Sequence, residues 1–239
     1  MFIKKLGKEI GTGFSELLFP NICVVCNDLL IGTETGICSI CYNNMPYSPW
    51  RFNDQNPIVK ALWGRSLLSA GFHLLSYRKG SIASRVLHSI KYENQQDLAV
   101  MLGRKIGFEL RNSGFLIPVD GIVAIPMHPK KQKIRGYNQA ELLAKGISEV
   151  ISKPLISGLL TQTRQTQTQT NKGREDRGMN TGDKYQCNVN FSFNPLNHLL
   201  LVDDVMTTGS TLQAAEMAIR RVYSPENLQL SIATLAYVF

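Results

Sequence analysis

Two hydrophobic patterns alternate along this chain: short apolar runs, and longer stretches in which apolar residues recur at helical spacing. The apolar runs predict strands over residues 67–77, 121–125, 155–160 and 199–202. Helical spacing without breakers predicts helices over residues 81–90, 98–110, 138–151 and 212–221. Strands that alternate with helices of this length indicate an α/β fold with a parallel sheet, because parallel neighbours need a crossover connection.

The segment that follows the strand over residues 199–202 has the most specific pattern. Two adjacent carboxylates, Asp203 and Asp204, come first, and a short loop precedes the next helix. The loop consists of Thr207, Thr208, Gly209, Ser210 and Thr211. Because a helix N-terminus offers unpaired N–H groups and partial positive charge, this loop predicts a phosphate site. Adjacent carboxylates suit a sugar diol or a divalent cation. An ordinary strand–turn–helix with an acidic turn is the alternative.

This stretch resembles the phosphoribosyl pyrophosphate (PRPP) signature of the type I phosphoribosyltransferases. The resemblance implies that Asp203 and Asp204 hold the ribose 2′- and 3′-hydroxyls and that residues 207–211 hold the 5′-phosphate. In purine-base members of that family the first loop position is an aspartate, whereas this chain has Thr207. The threonine argues against a purine salvage role and leaves the loop without an evident general base.

A second group of anion-binding candidates follows the strand over residues 121–125. Residues 126–139, which are predicted to form a loop, carry four cations, Lys130, Lys131, Lys133 and Arg135. Since ligands gather at the carboxyl ends of strands in an open α/β sheet, these residues and the acidic motif are expected to face one pocket. The cations would bind a pyrophosphate there, and Arg135 suits bidentate contact with phosphate oxygens. Solvated charges are the alternative, in keeping with a net charge of +8.

Residues 161–180 are polar and of low complexity, which by composition predicts a mobile loop. Arg164, Arg174 and Arg177 would let this loop close over an anionic ligand as a lid and exclude water. Simple disorder is the alternative interpretation of the same composition.

Two Cys-x-x-Cys pairs lie near the start of the chain, with eleven residues between them. Their members are Cys23, Cys26, Cys38 and Cys41. Four thiolates at this spacing predict a tetrahedral zinc site, and four sulfur ligands leave no open position, so the zinc would be structural. Disulfides are the alternative, which a reducing cytoplasm disfavours. Cys187 stands alone and is expected to be an ordinary, half-buried residue.

The length of 239 residues allows one substantial core and a small accessory module. Three prolines in residues 42–60 predict a linker. Residues 1–50 would therefore form a short amphipathic helix over residues 2–19 with the zinc module, and residues 51–239 would form the α/β domain. No apolar run is long enough to span a membrane, and charged residues interrupt any signal-peptide core. The sequence therefore predicts a cytoplasmic protein.

The order of these motifs is similar to that of the ComF family over nearly the whole chain. The paired cysteines come first, then Ile125-Pro126 and residues 135–139, then the polar segment, then the PRPP motif. The matching positions of the polar segment are Arg164, Thr166, Gln169, Arg177 and Asn180. Lys172 departs from the apolar residue usual in relatives.

This second resemblance implies a phosphoribosyltransferase fold with a zinc finger, binding of PRPP with Mg²⁺, and a role in natural transformation or in the use of external DNA. The partners that it implies are single-stranded DNA, a helicase and a recombination mediator.

Three functions stay open at the level of sequence. A phosphoribosyltransferase would transfer the ribose to an acceptor after pyrophosphate leaves. A binding module would use its basic loops and zinc module to hold nucleic acid or proteins, although Tyr137 is the only obvious aromatic residue near the lysines. A regulatory protein would sense a nucleotide and catalyse nothing. One scaffold can host all three, and no segment identifies the acceptor.

Overall fold

The computed structural model describes residues 20–50, 52–113, 119–162, 184–189, 197–224, 226 and 228–239. The predicted helix over residues 2–19 lies outside the described residues, and so do residues 163–180 of the predicted lid, with Arg164, Arg174 and Arg177. Within the described ranges, no helix combines the length and the apolar character that crossing a membrane requires.

The described residues form six strands: β1 Ala70–Tyr77, β2 Gly121–Ala124, β3 Leu160–Gln162, β4 Tyr185–Cys187, β5 His198–Met206 and β6 Gln229–Val238. Four of them make the central sheet in the order β1-β6-β5-β2, and every neighbouring pair is parallel. The strands β3 and β4 form a separate antiparallel pair. The predicted parallel α/β sheet is therefore confirmed.

The described residues also form seven helices: α1 Ser39–Asn43, α2 Pro57–Lys60, α3 Ile82–Tyr92, α4 Gln96–Asn112, α5 Pro129–Arg135, α6 Gln139–Ile151 and α7 Ser210–Arg220. The four predicted helices correspond to α3, α4, α6 and α7. Ser81 and Asn138 cap α3 and α6, because their side chains accept hydrogen bonds from backbone N–H groups in the first turn.

Helices cover both faces of the sheet. Along β5, Leu200 and Val202 pack with α3, α4 and α6, whereas Leu199 and Leu201 pack with α2 and α7. Successive side chains of a strand point to opposite faces, so an unbroken apolar run supplies two hydrophobic cores at once.

Close backbone contact fixes α6 against α4. A Cβ atom added to Gly103 would lie 2.2 Å from the Leu143 carbonyl oxygen, and one added to Gly146 would lie 2.1 Å from the Val100 carbonyl oxygen. Both neighbours are backbone atoms that cannot rotate away, so any side chain would push the helices apart. This packing also sets the position of Asn138 and Gln139 at the start of α6.

Three predictions about local structure are wrong. The strand expected over residues 155–160 is reduced to a parallel bridge between Leu155 and Ile122, and β3 begins only at Leu160. The strand expected to end at residue 202 continues to Met206, because its backbone still pairs with β6 as far as Tyr237. Residues 126–139, expected to be a loop, contain the seven-residue helix α5.

The segment predicted as a linker, residues 42–60, packs against β1. Tyr47 and Asn53 form antiparallel bridges to β1, and Ile58 is fully buried. Cys23 and Met45 belong to the same hydrophobic cluster as α3 and α4. The division at residue 50 stays a prediction, but side chains on its two sides share one core.

Candidate functional site

A polar cleft of about 330 Å³ lies beyond the end of β2 and beside the carboxyl-terminal half of β5. Asp203 and Asp204 reach it from β5, while Thr207 and Thr211 come from the loop and first turn of α7. Arg135 reaches it from the end of α5. The structure thus brings three groups to one place. They are the acidic motif (Asp203 and Asp204), part of the hydroxyl loop (residues 207–211) and part of the basic segment (residues 126–139).

The two carboxylates have different surroundings. Asp204 Oδ2 lies 3.0 Å from Lys91 Nζ, whereas Asp203 Oδ1 accepts a hydrogen bond of 2.9 Å from the Asp204 backbone N–H. Burial and, after it, the charge of Asp204 raise the pKa of Asp203 well above its usual range. Asp203 therefore favours its protonated form until hydroxyl donors or a cation compensate its charge.

Asp203→Asn is expected to raise the melting temperature, and the gain should widen as the pH rises. Because the pKa of Asp203 is higher in the folded protein than its unfolded value of about 3.9, the folded state binds this proton more tightly. The contribution of this proton to the free energy of unfolding is fully present below the pKa of the unfolded state. It is lost as the pH rises through the pKa of the folded state. Asparagine does not ionise and so avoids this loss.

Scanning calorimetry from about pH 5 to about pH 9 measures the difference in melting temperature between the variant and the unmodified protein. This pH range lies above the unfolded pKa of Asp203. The exposed Asp54 provides the control substitution, Asp54→Asn. A difference in melting temperature that stays constant with pH would contradict the raised pKa of Asp203.

The hydroxyl loop wraps around the N-terminus of α7. Gly209 has a φ of 75°, and a Cβ atom there would lie 2.5 Å from Leu62 Cδ2, so the position requires glycine. Thr208 Oγ1 donates to Ser210 Oγ at 3.3 Å. A small cavity is lined by Asp203, Thr207, Gly209, Ser210 and Thr211. Hydroxyls around a helix N-terminus form a suitable anion site, with Thr208 at its outer edge.

The four predicted pyrophosphate cations separate into two pairs. Lys131 and Arg135 line the cleft, while Lys130 and Lys133 are exposed on α5 and do not line it. Arg135 Nη1 donates to Gln139 Oε1 at 2.8 Å, which holds the guanidinium at the cleft.

The residues after Arg135 attach the basic segment to the sheet. Gly136 has a φ of 88° and ends α5. Asn138 Nδ2 donates to the Ile125 carbonyl oxygen at 3.0 Å. Tyr137 is buried and its hydroxyl donates to the Ile90 carbonyl oxygen, so little of its ring is open to a base.

Sequence reasoning missed Lys91, Lys184 and Tyr185, which also line the cleft. Lys184 Nζ donates to Thr211 Oγ1 at 3.1 Å. Burial lowers the pKa of Lys184, and the nearby Asp203 acts against that change. Neither lysine belongs to a motif, because long-range packing brings each of them to the cleft.

The four paired cysteines form one cluster next to the core. Their sulfur atoms all lie within 4.8 Å of one another, and all four are free thiols. Cys26 Sγ and Cys38 Sγ are 3.7 Å apart, close to the ~3.8 Å edge of a tetrahedron with zinc–sulfur bonds of about 2.3 Å. The cluster could therefore hold a structural metal ion such as zinc.

Backbone groups around the cluster favour thiolate sulfur. The N–H groups of Val25 and Cys41 donate to Cys23 Sγ and Cys38 Sγ, each at 3.4 Å. Burial acts to raise the pKa of Cys23, but backbone N–H donors outweigh it and lower that pKa to about 7, whereas burial raises the pKa of Cys41 to about 11. Cys187, away from the cluster, is half-buried as expected.

Fold and site together define an α/β protein with a polar cleft beside its parallel sheet and a cysteine cluster suited to a metal ion. No family model matches the sequence. The chain is similar to Competence protein F of Haemophilus influenzae, with 29% identity over 143 residues, 58% of this chain and 62% of that protein. It is also similar to DNA utilization protein YhgH of Escherichia coli K12, with 26% identity over 228 residues, 85% of this chain and 93% of that protein. These homologues confirm the similarity to the ComF family.

Proposed function

We propose that this chain binds PRPP, or a related phosphoribosyl ligand, together with Mg²⁺ on a phosphoribosyltransferase-like fold. One observation carries the proposal: Asp203 and Asp204, the hydroxyl residue Thr211 and the cation Arg135 line the same cleft. PRPP matches this combination, because it presents a diol, a monophosphate and a pyrophosphate on one ribose ring.

In the proposed complex each part of the ligand meets a group of matching chemistry. The 5′-phosphate would lie in the loop at the N-terminus of α7, where N–H groups and hydroxyls donate to it. The ribose hydroxyls would donate to Asp203 and Asp204, and Lys91 would share Asp204 with the sugar. The pyrophosphate would lie against Lys131 and Arg135, which both border the cleft.

The carboxylate pair also fits a ligand that brings its own cation. Mg²⁺ keeps much of its water and binds phosphate oxygens with few protein carboxylates, so it would enter mainly on the ligand. The pKa of Asp203 is raised because burial and the charge of Asp204 outweigh the partial compensation that Lys91 and Lys184 provide. A nearby Mg²⁺ would supply further positive charge and favour the ionised form.

Binding of PRPP and a reaction of the bound PRPP are separate properties of the cleft. Loss of pyrophosphate would leave positive charge on the ribose ring, which surrounding oxygen atoms would stabilise. Thr207 offers no basic group to activate an acceptor. We therefore restrict the proposal to binding, and pyrophosphate release distinguishes a transferase from a nucleotide sensor.

For the biological role, we propose that the chain acts in competence or DNA utilization, as the names of its homologues state for those proteins. The imported DNA would be single-stranded, and a helicase and a recombination mediator are the proposed partners.

A nucleic-acid-binding module is the second candidate function. It is favoured by Lys130 and Lys133, which are exposed on α5 outside the cleft. This candidate predicts an affinity for single strands that falls steeply with salt, and Lys130→Glu with Lys133→Glu would reduce the slope by about one unit per lost phosphate contact.

Isothermal titration calorimetry with PRPP and Mg²⁺ tests the main proposal. We expect saturable binding that weakens when Mg²⁺ is omitted, and weaker binding of ribose 5-phosphate, which lacks the pyrophosphate. Absence of binding heat together with an unchanged melting temperature at millimolar PRPP and Mg²⁺ would refute the proposal.

A further inference from the structure

A second cavity, of about 450 Å³, adjoins the polar cleft. Three cations, Lys91, Lys131 and Arg135, line both. The residues that line the second cavity but not the cleft are Tyr92, Asn94, Ile134 and Tyr137. Its volume falls within the range of roughly 300 to 1000 Å³ that small-ligand sites occupy. The second cavity is thus large enough for a ligand of its own.

Tyr92 and Arg135 form a stacking surface in this cavity. Tyr92 is the last residue of α3 and is 67% exposed, and the guanidinium carbon of Arg135 lies 5.3 Å from the centre of its ring. Aromatic rings and guanidinium planes are the surfaces on which proteins stack unpaired bases. Ile134 is 88% exposed and adds an apolar side chain to the same cavity.

The charge around this surface favours a ligand that carries phosphate. Lys91 and Lys131 face the cavity. Asp204 Oδ2 lies 3.0 Å from Lys91 Nζ, so the charges that favour a phosphate are those of Lys131 and Arg135. Exposed apolar and aromatic side chains beside cations suit a planar ring attached to a phosphate.

We propose that the second cavity binds an unpaired nucleobase, stacked on Tyr92 and Arg135, with the attached phosphate against Lys131. The base belongs either to a free nucleotide or to a single strand, since both present the same ring and phosphate. Neither source requires a phosphoribosyl ligand in the neighbouring cleft. Because both cavities use Lys131 and Arg135, the nucleotide and PRPP would compete for these two cations.

Fluorescence anisotropy of a labelled oligonucleotide, with mononucleotides as competitors, tests the proposal. Tyr92→Ala is expected to weaken binding of the strand roughly 5- to 150-fold, because stacking of one base on an aromatic ring contributes that much. Tyr92→Phe keeps the ring and should stay close to the unmodified protein. A strand of abasic residues should bind more weakly and respond little to either substitution.

The matched control is Phe108→Ala. Phe108 is 44% exposed, and the guanidinium carbon of Arg111 lies 4.9 Å from its ring centre, but Phe108 lines neither cavity. This control should bind nucleic acid normally. An unchanged affinity in Tyr92→Ala, an equal loss in Phe108→Ala, or no binding of strand and nucleotides by the unmodified protein would each overturn the proposal.

Two further readouts separate the possible results. If mononucleotides compete with the strand for the unmodified protein but not for Tyr92→Ala, free nucleotides are a source of the base. If Tyr92→Ala weakens binding of the strand but mononucleotides do not compete, the base belongs to single-stranded nucleic acid. Calorimetry of PRPP with the same variant measures the neighbouring cleft, so failure of the nucleobase site and failure of PRPP binding give different patterns.

Discussion

Replacing Asp203 and Asp204 together by asparagine is expected to lower the affinity for PRPP with Mg²⁺ by roughly 100-fold or more. Each carboxylate would accept a hydrogen bond from a ribose hydroxyl, and hydrogen bonds to charged groups contribute about 1.5 to 3 kcal/mol. Asparagine keeps the size of the side chain but removes the charge that favours Mg²⁺ nearby. Calorimetric titration of the double variant measures the effect.

The design of this experiment separates binding from folding. Asp203→Asn is expected to stabilise the free protein, whereas Asp204→Asn removes the ion pair with Lys91. The melting temperature of the double variant therefore has to show that a loss of PRPP binding does not result from unfolding. Asp54→Asn, at an exposed position, serves as the control and should bind PRPP normally. If the double variant bound PRPP within a factor of three of the unmodified chain, the ribose would not lie at the acidic pair.

Cys41→Ser is expected to release the metal ion and to lower the melting temperature by roughly 10 °C or more. Structural zinc contributes about 10 to 16 kcal/mol to folding in zinc-finger peptides, and 1 kcal/mol shifts the melting temperature of a chain of this size by about 2 to 4 °C. Cys41 also belongs to the hydrophobic cluster that includes Val86 and Leu98, so loss of the metal would loosen that core.

Metal analysis of the purified protein and thermal unfolding measure these two effects. About one zinc per chain is expected, since four thiolates complete one tetrahedral site. Cys187→Ser is the matched control, because Cys187 is a free cysteine outside the cluster, and it should retain both metal and stability. A purified protein that contains no zinc and whose melting temperature does not respond to a chelator would contradict the metal site.

Most of the sheet could be predicted from the sequence, but β6, one of its two central strands, could not. Ser231 and Thr234 interrupt the apolar pattern of β6, although both are fully buried. Ser231 is accommodated because its Oγ lies 2.8 Å from His198 Nε2 on the neighbouring strand. That partner is 33 residues away in the chain, so no local pattern indicates that the serine can be buried.

Part of the candidate site could likewise be predicted from the sequence, and part of it could not. Residues 207–211 were predicted because a glycine-containing hydroxyl loop followed by a helix is a local pattern, and Gly209 indeed caps α7. The side of α5 on which each cation lies was not predicted, because the sequence pattern did not indicate a helix there. Of the four cations of α5, only Lys131 and Arg135 line the cleft.

Local patterns alone determined the class of fold, the acidic pair with its loop and the four cysteines, because each of these depends on residues close together in the chain. The tertiary structure decided which distant side chains join them. It brings Lys91 to Asp204, Lys184 to Thr211 and Tyr92 to Arg135. These pairs depend on how α3, β4 and α5 pack around the sheet, and long-range packing leaves no periodic pattern in the sequence.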